Sequence, residues 1–130
     1  MRQRRGRGSV QPIVLAGDSH AFWVNELYDN AGERRAVEFG TSAISSPSPG
    51  DHVGGLPLGM ALSAANPEVK FCDQASKGFV LLTLEPTRAT AELLAVSTIA
   101  SKPYTVSVVK RFSVERDGDG DGHRLEDVSS

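Results

Sequence analysis

Pro12-Ile13-Val14-Leu15-Ala16-Gly17-Asp18-Ser19-His20-Ala21-Phe22-Trp23 runs from a short apolar segment straight into a polar loop. A brief continuous apolar run ended by Gly-Asp is the pattern of a buried strand feeding a functional loop. In such a loop an aspartate and a histidine two residues apart can direct an oxygen and an imidazole nitrogen at one cation. Mixed oxygen and nitrogen shells suit zinc, iron or manganese. Gly17 lets the backbone bend sharply enough to present both. The competing, purely structural reading makes Asp18 the cap of a following helix.

Moving outward from this loop, Phe22, Trp23, Leu27 and Tyr28 recur at spacings that fit one helical face between Ala21 and Asp29, and Asn30-Ala31-Gly32 ends it. Ala36 to Ser42 reads as a further strand. Ser45-Ser46-Pro47-Ser48-Pro49-Gly50 then forms a rigid, exposed connection, because two prolines lack backbone donors. Leu58 to Ala65 reads as a short helix that stops at Asn66-Pro67. After it the pattern becomes Val69–Asp73, Gly78–Leu84, Ala89–Thr98 and Tyr104–Val114, four strands that predict an antiparallel meander. The Ala89 run favours helix by propensity, but its place between two strong strands decides for strand. The expected class is therefore α/β: strand, loop and helix, then a terminal antiparallel sheet.

The organisation is one domain over residues 12–115 with a tail at each end. Residues 1–11, with four arginines in the first seven, have no hydrophobic partner and read as a disordered basic tail; residues 116–130 read as a disordered Gly/Asp-rich tail. Fourteen basic and sixteen acidic residues give a formal net charge of −2, which favours neither nucleic acid nor an anionic membrane, and neither is expected as a partner. The single cysteine, Cys72, excludes an internal disulfide and any zinc site needing two cysteines, and reads as a small buried hydrophobe. No apolar run approaches the roughly 20 residues that cross a bilayer, and no export signal is legible at the start. Asp117-Gly118-Asp119-Gly120-Asp121-Gly122 opens like a calcium loop, but its twelfth position is Val128 rather than a bidentate carboxylate, so it reads as a solvated acidic tail.

Gly17-Asp18-Ser19-His20-Ala21-Phe22-Trp23-Val24-Asn25-Glu26-Leu27 resembles the Gly-Asp-x-His-x-x-Trp segment of PhoD-like phosphatases, the alkaline phosphatase D family. Ala36 to Pro47 is similar to the family's next segment. Asn66-Pro67, Asp73 and Lys77 to Pro86 resemble its C-terminal strands, so the likeness spans roughly residues 12 to 114 in the family's order.

The resemblance implies a calcineurin-like metallophosphoesterase sandwich of two sheets flanked by helices, of which this chain supplies the C-terminal half. It also implies hydrolysis of phosphate monoesters and diesters assisted by divalent or trivalent cations: calcium, iron, zinc or manganese. On the matching positions Asp18 and His20 become metal-site residues, with His20 catalytic, while Trp23 and Asn25 lie close by as candidate substrate contacts. For Trp23 a core anchor is the stronger reading. Members of the family are often exported, and nothing in these residues settles localisation.

The family carries further aspartate, asparagine and histidine ligands ahead of this loop, and the sixteen residues before Gly17 contain none. Little activity is expected of the chain alone, which reads as a fragment or as a non-catalytic interaction remnant. Half a sandwich also leaves a core-facing surface to be covered by the missing half or by self-association. A serine esterase built on Ser19 is the minor alternative. It needs a Gly-x-Asn-Asp segment and a C-terminal Asp-x-x-His, and neither is present.

Overall fold

The structure is a computed structural model that describes residues 12–53, 57–116 and 123–129. Two of the tail expectations, for residues 1–11 and for the acidic run 117–122, lie outside the described residues. Among the described residues, eight strands and one α-helix follow one another as β1 (Ile13–Ala16), β2 (Phe22–Tyr28), β3 (Arg34–Gly40), a 3-10 turn at Pro49–His52, α1 (Leu58–Ala65), β4 (Val69–Asp73), β5 (Gly78–Leu84), β6 (Arg88–Val96), β7 (Val106–Arg116) and β8 (His123–Asp127). They form two four-stranded sheets, ordered β1-β3-β2-β4 and β5-β6-β7-β8.

The helix expected between Ala21 and Asp29 is a strand. Phe22 and Val24 are fully buried while Trp23 and Asn25, which alternate with them, are only partly so, a period of two that mimics a helical stripe over seven residues. Aromatic and β-branched side chains suit this pleated surface better than a helix. Asn30-Ala31-Gly32, read as a helix stop, lies in a hairpin turn that begins at Asp29. The Asp29 carboxylate accepts from the backbone N–H of Ala31 and of Glu33, and Gly32 takes φ +79°. The fold is accordingly mostly β, and the α/β class is corrected on that account.

Two further corrections follow from pairing. Val69–Asp73 leaves the expected meander and joins the first sheet beside β2, with Trp23 opposite Cys72. The meander is completed instead by β8, inside the stretch expected to be a structureless tail. Its Leu125 pairs with Val114 and packs on the core, one apolar residue in an otherwise polar strand and too weak a signal to read alone. The remaining expectations for β1, β3 to β7 and α1 correspond to observed elements, with ends moved by a few residues.

β6 shows why its helix-favouring composition yields. Ala89, Ala91, Leu93 and Ala95 are all buried on one face, and neighbours pair along both edges. Ala89, Ala91 and Leu93 join Phe22, Val24, Val37, Phe39, Phe112 and Val114 in one core shared by the two sheets. Phe71 of β4 lies against Phe112 of β7, ring centroids 6.2 Å apart, which sets β4 over the β7 side of the second sheet.

Candidate metal-binding loop

β1 runs parallel to β3, with Ala16 opposite Gly40, and delivers the chain to a loop at its C-terminal end. Gly17, Asp18 and Ser19 are exposed, and the loop closes at Ala21 and Phe22, both fully buried. Asp18 and His20 adopt positive φ values of 76° and 56°. Left-handed backbone costs an ordinary residue about 1–2 kcal/mol, less for Asp and His, and such conformations collect at functional sites. No helix follows, so Asp18 has no helix terminus to cap and that structural reading falls.

His20 is oriented from 27 residues downstream. Its Nδ1 lies 2.8 Å from the Pro47 carbonyl oxygen, which only accepts, so Nδ1 carries the proton. In the neutral ring the lone pair is then on Nε2, the arrangement in which a histidine coordinates a cation while its other nitrogen is held by a carbonyl.

The Pro47 carbonyl is itself fixed through a chain of contacts. The Ser48 N–H donates to the Asp51 carboxylate at 2.7 Å, and Lys77 Nζ reaches the same oxygen at 2.8 Å. These two donors, Lys77 first, hold the Asp51 carboxyl below its ordinary range. Ser42 Oγ donates to the Ser76 carbonyl at 2.6 Å, and the Gly50 N–H donates to the Gln74 carbonyl at 2.8 Å. A Cβ at Gly50 would sit 2.6 Å from that oxygen, so glycine is required there. The connection expected at Ser45–Gly50 is tied down by the bonds of Ser48 and Gly50, but it is not exposed throughout: Ser48 is buried. Sequence reasoning missed Pro47, Asp51 and Lys77 as supports of His20, since no local signal links positions so far apart.

Trp23 and Asn25 sit on β2, on the face of the first sheet turned away from the core. Trp23 rests on Gly40, where an added Cβ would come within 3.0 Å of its own Cβ. Asn25 Nδ2 donates to Glu38 Oε1 at 2.8 Å, and Asn25 Oδ1 is buried without a partner among the described residues. Neither side chain bonds Asp18 or His20. A groove of about 410 Å³ walled by Ile44, Phe79, Val96, Ile99, Tyr104 and Val106 includes none of the four.

Among the described residues no cluster of three or more His, Cys, Asp or Glu side chains forms a cation site. Asp18 and His20 fit as part of a donor set, through an anchored imidazole and an exposed carboxylate that has no hydrogen-bond partner among the described residues, and they fall short of the four ligands a bound transition metal ordinarily takes. Ser19 bonds no histidine whose side chain is described, so a serine nucleophile with its base is not assembled here.

Two packed sheets, with an aspartate and a histidine in left-handed backbone at the end of a parallel strand, define the class: a β-sandwich with an exposed loop at a strand terminus. The chain belongs to the PhoD-like phosphatase family, whose sequence model matches residues 1–93. Among solved structures it is similar to PhoD, with 21% identity and a TM-score of 0.65 over 91% of this chain and 22% of that one, a likeness of fold. The chain thus spans about a fifth of the length of the PhoD structure it matches. No curated protein matches it.

Proposed function

We propose that this chain is a piece of a metal-dependent phosphoric ester hydrolase of PhoD-like type, contributing Asp18 and His20 to a cation site that other segments complete. What carries the reading is the Nδ1–H of His20 tied to the Pro47 carbonyl, which leaves the Nε2 lone pair free in the loop that also carries Asp18. Calcium, iron, zinc or manganese in such a site would polarise a phosphate ester. The two residues hold and orient; Asp18 supplies charge and His20 a fixed lone pair. With two donors the isolated chain binds a cation weakly and turns over little or no ester.

The test is hydrolysis of an aryl phosphate by the purified chain with each of the four metals, paired with calorimetric titration of zinc or manganese into wild type and His20→Ala. Background hydrolysis with weak, His20-dependent binding is the expected result. Metal-stimulated turnover by the chain alone would mean that the site is complete within it. Titration curves unchanged by His20→Ala would remove the ligand role. The second reading, a non-catalytic remnant, is favoured by the short donor set. It would be supported if neither Asp18 nor His20 variants altered cation binding.

A further inference from the structure

The second sheet is apolar on its outer face as well, at the end where β5 begins. Gly78 is buried and Val80 and Leu82 pack on the core, so by alternation Phe79 points outward. Val96, next to the buried Ala95, and Val106 stand opposite each other on that same outer face, at the end of β6 and the start of β7. Phe79, Val96 and Val106 thus come from three adjacent strands and form the floor of the groove of about 410 Å³.

Two segments flank the floor and make a concavity of it. One is Ile44 with Ser45, fixed beside Phe79 because the Gly78 N–H donates to the Ala43 carbonyl at 3.0 Å. The other is the connection between β6 and β7, residues 97–105, which contributes Ile99, Lys102 and Tyr104. Its base is fastened twice: the Ser97 N–H donates to the Thr105 carbonyl, and the Thr105 N–H to Ser97 Oγ, each at 2.9 Å. Within it the Ala100 N–H donates to Thr98 Oγ1 at 3.1 Å. The groove is therefore formed before anything enters it, and its volume falls in the range of roughly 300–1,000 Å³ that holds small molecules.

Its lining carries one charge. Lys102 makes no ion pair among the described residues, whereas each of the other three lysines reaches a carboxylate. No aspartate or glutamate lines the groove, and its other polar side chains are hydroxyls, of which that of Tyr104 has no hydrogen-bond partner among the described residues. An apolar floor beside a lone cation and neutral donors is complementary to a molecule with an apolar body and one anionic group. A bare inorganic anion would leave the floor wet, and a neutral hydrocarbon would leave the cation unused.

The extent of the apolar surface sets the size of the occupant. Only Leu94 and Val96 of β6, with Val106 and Val108 of β7, stand between the flanking connection and the Glu92–Arg111 ion pair, which crosses the outer face at 3.5 Å. So short a strip is small for a stable protein partner, which needs roughly 800 Å² a side.

We propose that this groove is a binding site for a small organic anion, its apolar body on Phe79, Val96 and Val106 and its anionic group at Lys102 Nζ. The site is separate from the cation loop and includes neither Asp18 nor His20. It shares an end of the sandwich with them, since Ile44 and Ser45 lie between Ser42 and Pro47, both of which contact His20.

The test is titration of the full chain, without metal, followed by amide chemical shifts in 1H–15N spectra. Three compounds separate the contributions: 1-naphthalenesulfonate, the neutral 1-naphthalenesulfonamide with the same body, and sulfate with none. Saturable shifts confined to Ile44, Ser45, Phe79 and residues 96–106 are expected with the sulfonate, weaker binding with the sulfonamide, and no binding with sulfate. Lys102→Gln should weaken the sulfonate by about three- to fivefold and leave the sulfonamide unchanged. Ile44→Asp should weaken both, while Leu84→Asp, at an apolar residue of β5 outside the groove, should change neither. Ile44 is 63% and Leu84 70% exposed, so both variants keep the fold, which the same spectra check. Shifts scattered over exposed apolar residues elsewhere, equal affinity for sulfonate and sulfonamide, or binding of sulfate alone at Lys102 would overturn the proposal. So would a dimer that Ile44→Asp dissolves, because a second copy would then be what fills the groove.

Discussion

His20 illustrates how one residue's chemistry is set by a distant carbonyl. With Nδ1 held by Pro47, 15N chemical shifts should report the Nδ1–H tautomer of the neutral ring. Asp51→Asn removes the acceptor charge that steadies Ser48 and Lys77, and is expected to raise the share of the Nε2–H form in the same spectrum without unfolding the chain. Asp18 offers a complementary test. Its φ of 76° is natural for glycine, so Asp18→Gly relieves strain but adds freedom to the unfolded chain, and these effects offset to within about 1 kcal/mol. Thermal melts should hardly move while cation binding falls. Asp18→Val, β-branched in left-handed backbone, should cost about 1–2 kcal/mol. Cys72 is a structural thiol: burial pushes it above the ordinary thiol range, so the native protein should resist iodoacetamide near neutral pH and react only on unfolding.

At the scale of elements, α1 sits on β4 so closely that a Cβ on Gly59 would lie 2.2 Å from the Cys72 carbonyl oxygen. Backbone cannot retreat as a flexible side chain can. Gly59→Ala is therefore expected to lever α1 off β4 at a cost of about 1–3 kcal/mol, seen as faster amide exchange in α1 and β4 before the second sheet is affected.

β8 is anchored by an ion pair, Lys110 Nζ to Asp127 Oδ2 at 2.8 Å. The lysine, and secondarily the Ser129 N–H, hold Asp127 at about 2, below its ordinary 3.8. A carboxyl whose folded value is lowered contributes stability above 3.8 and loses it as pH falls through about 2. Both partners are about a third or more exposed, so the contribution is about 1 kcal/mol or less after solvent screening. Protection of β8 amides should fall across that acid window in wild type and stay flat in Asp127→Asn.

The whole molecule depends on a core contributed by both sheets. Phe112 is 3% exposed and touches Phe71 across the interface, so Phe112→Ala should cost about 3–5 kcal/mol. Because the cavity opens between the layers, β2 and β6 should lose protection together in one cooperative denaturant transition; separate transitions would mean that the sheets are independent units.

Much of this architecture was legible in residue order. β4 and β5 were read with their observed ends, since Pro67 and the Ser76-Lys77-Gly78 turn bound short runs of strand-forming residues. Asp18 and His20 were legible as a pair because Gly17 follows a continuous apolar run. Phe22 to Tyr28 was not, for seven residues satisfy a helical and an alternating pattern alike until neighbours claim both edges.

By itself, the sequence determined where the strands lie, that one loop carries an aspartate and a histidine, and to which family of chains the order of segments belongs. Only the tertiary structure decided that β2 is extended, that β4 leaves one sheet for the other and β8 replaces it, and that Pro47 orients His20. Each of these depends on partners far away in sequence, and pairing across such distances leaves no local trace in the residues that make it.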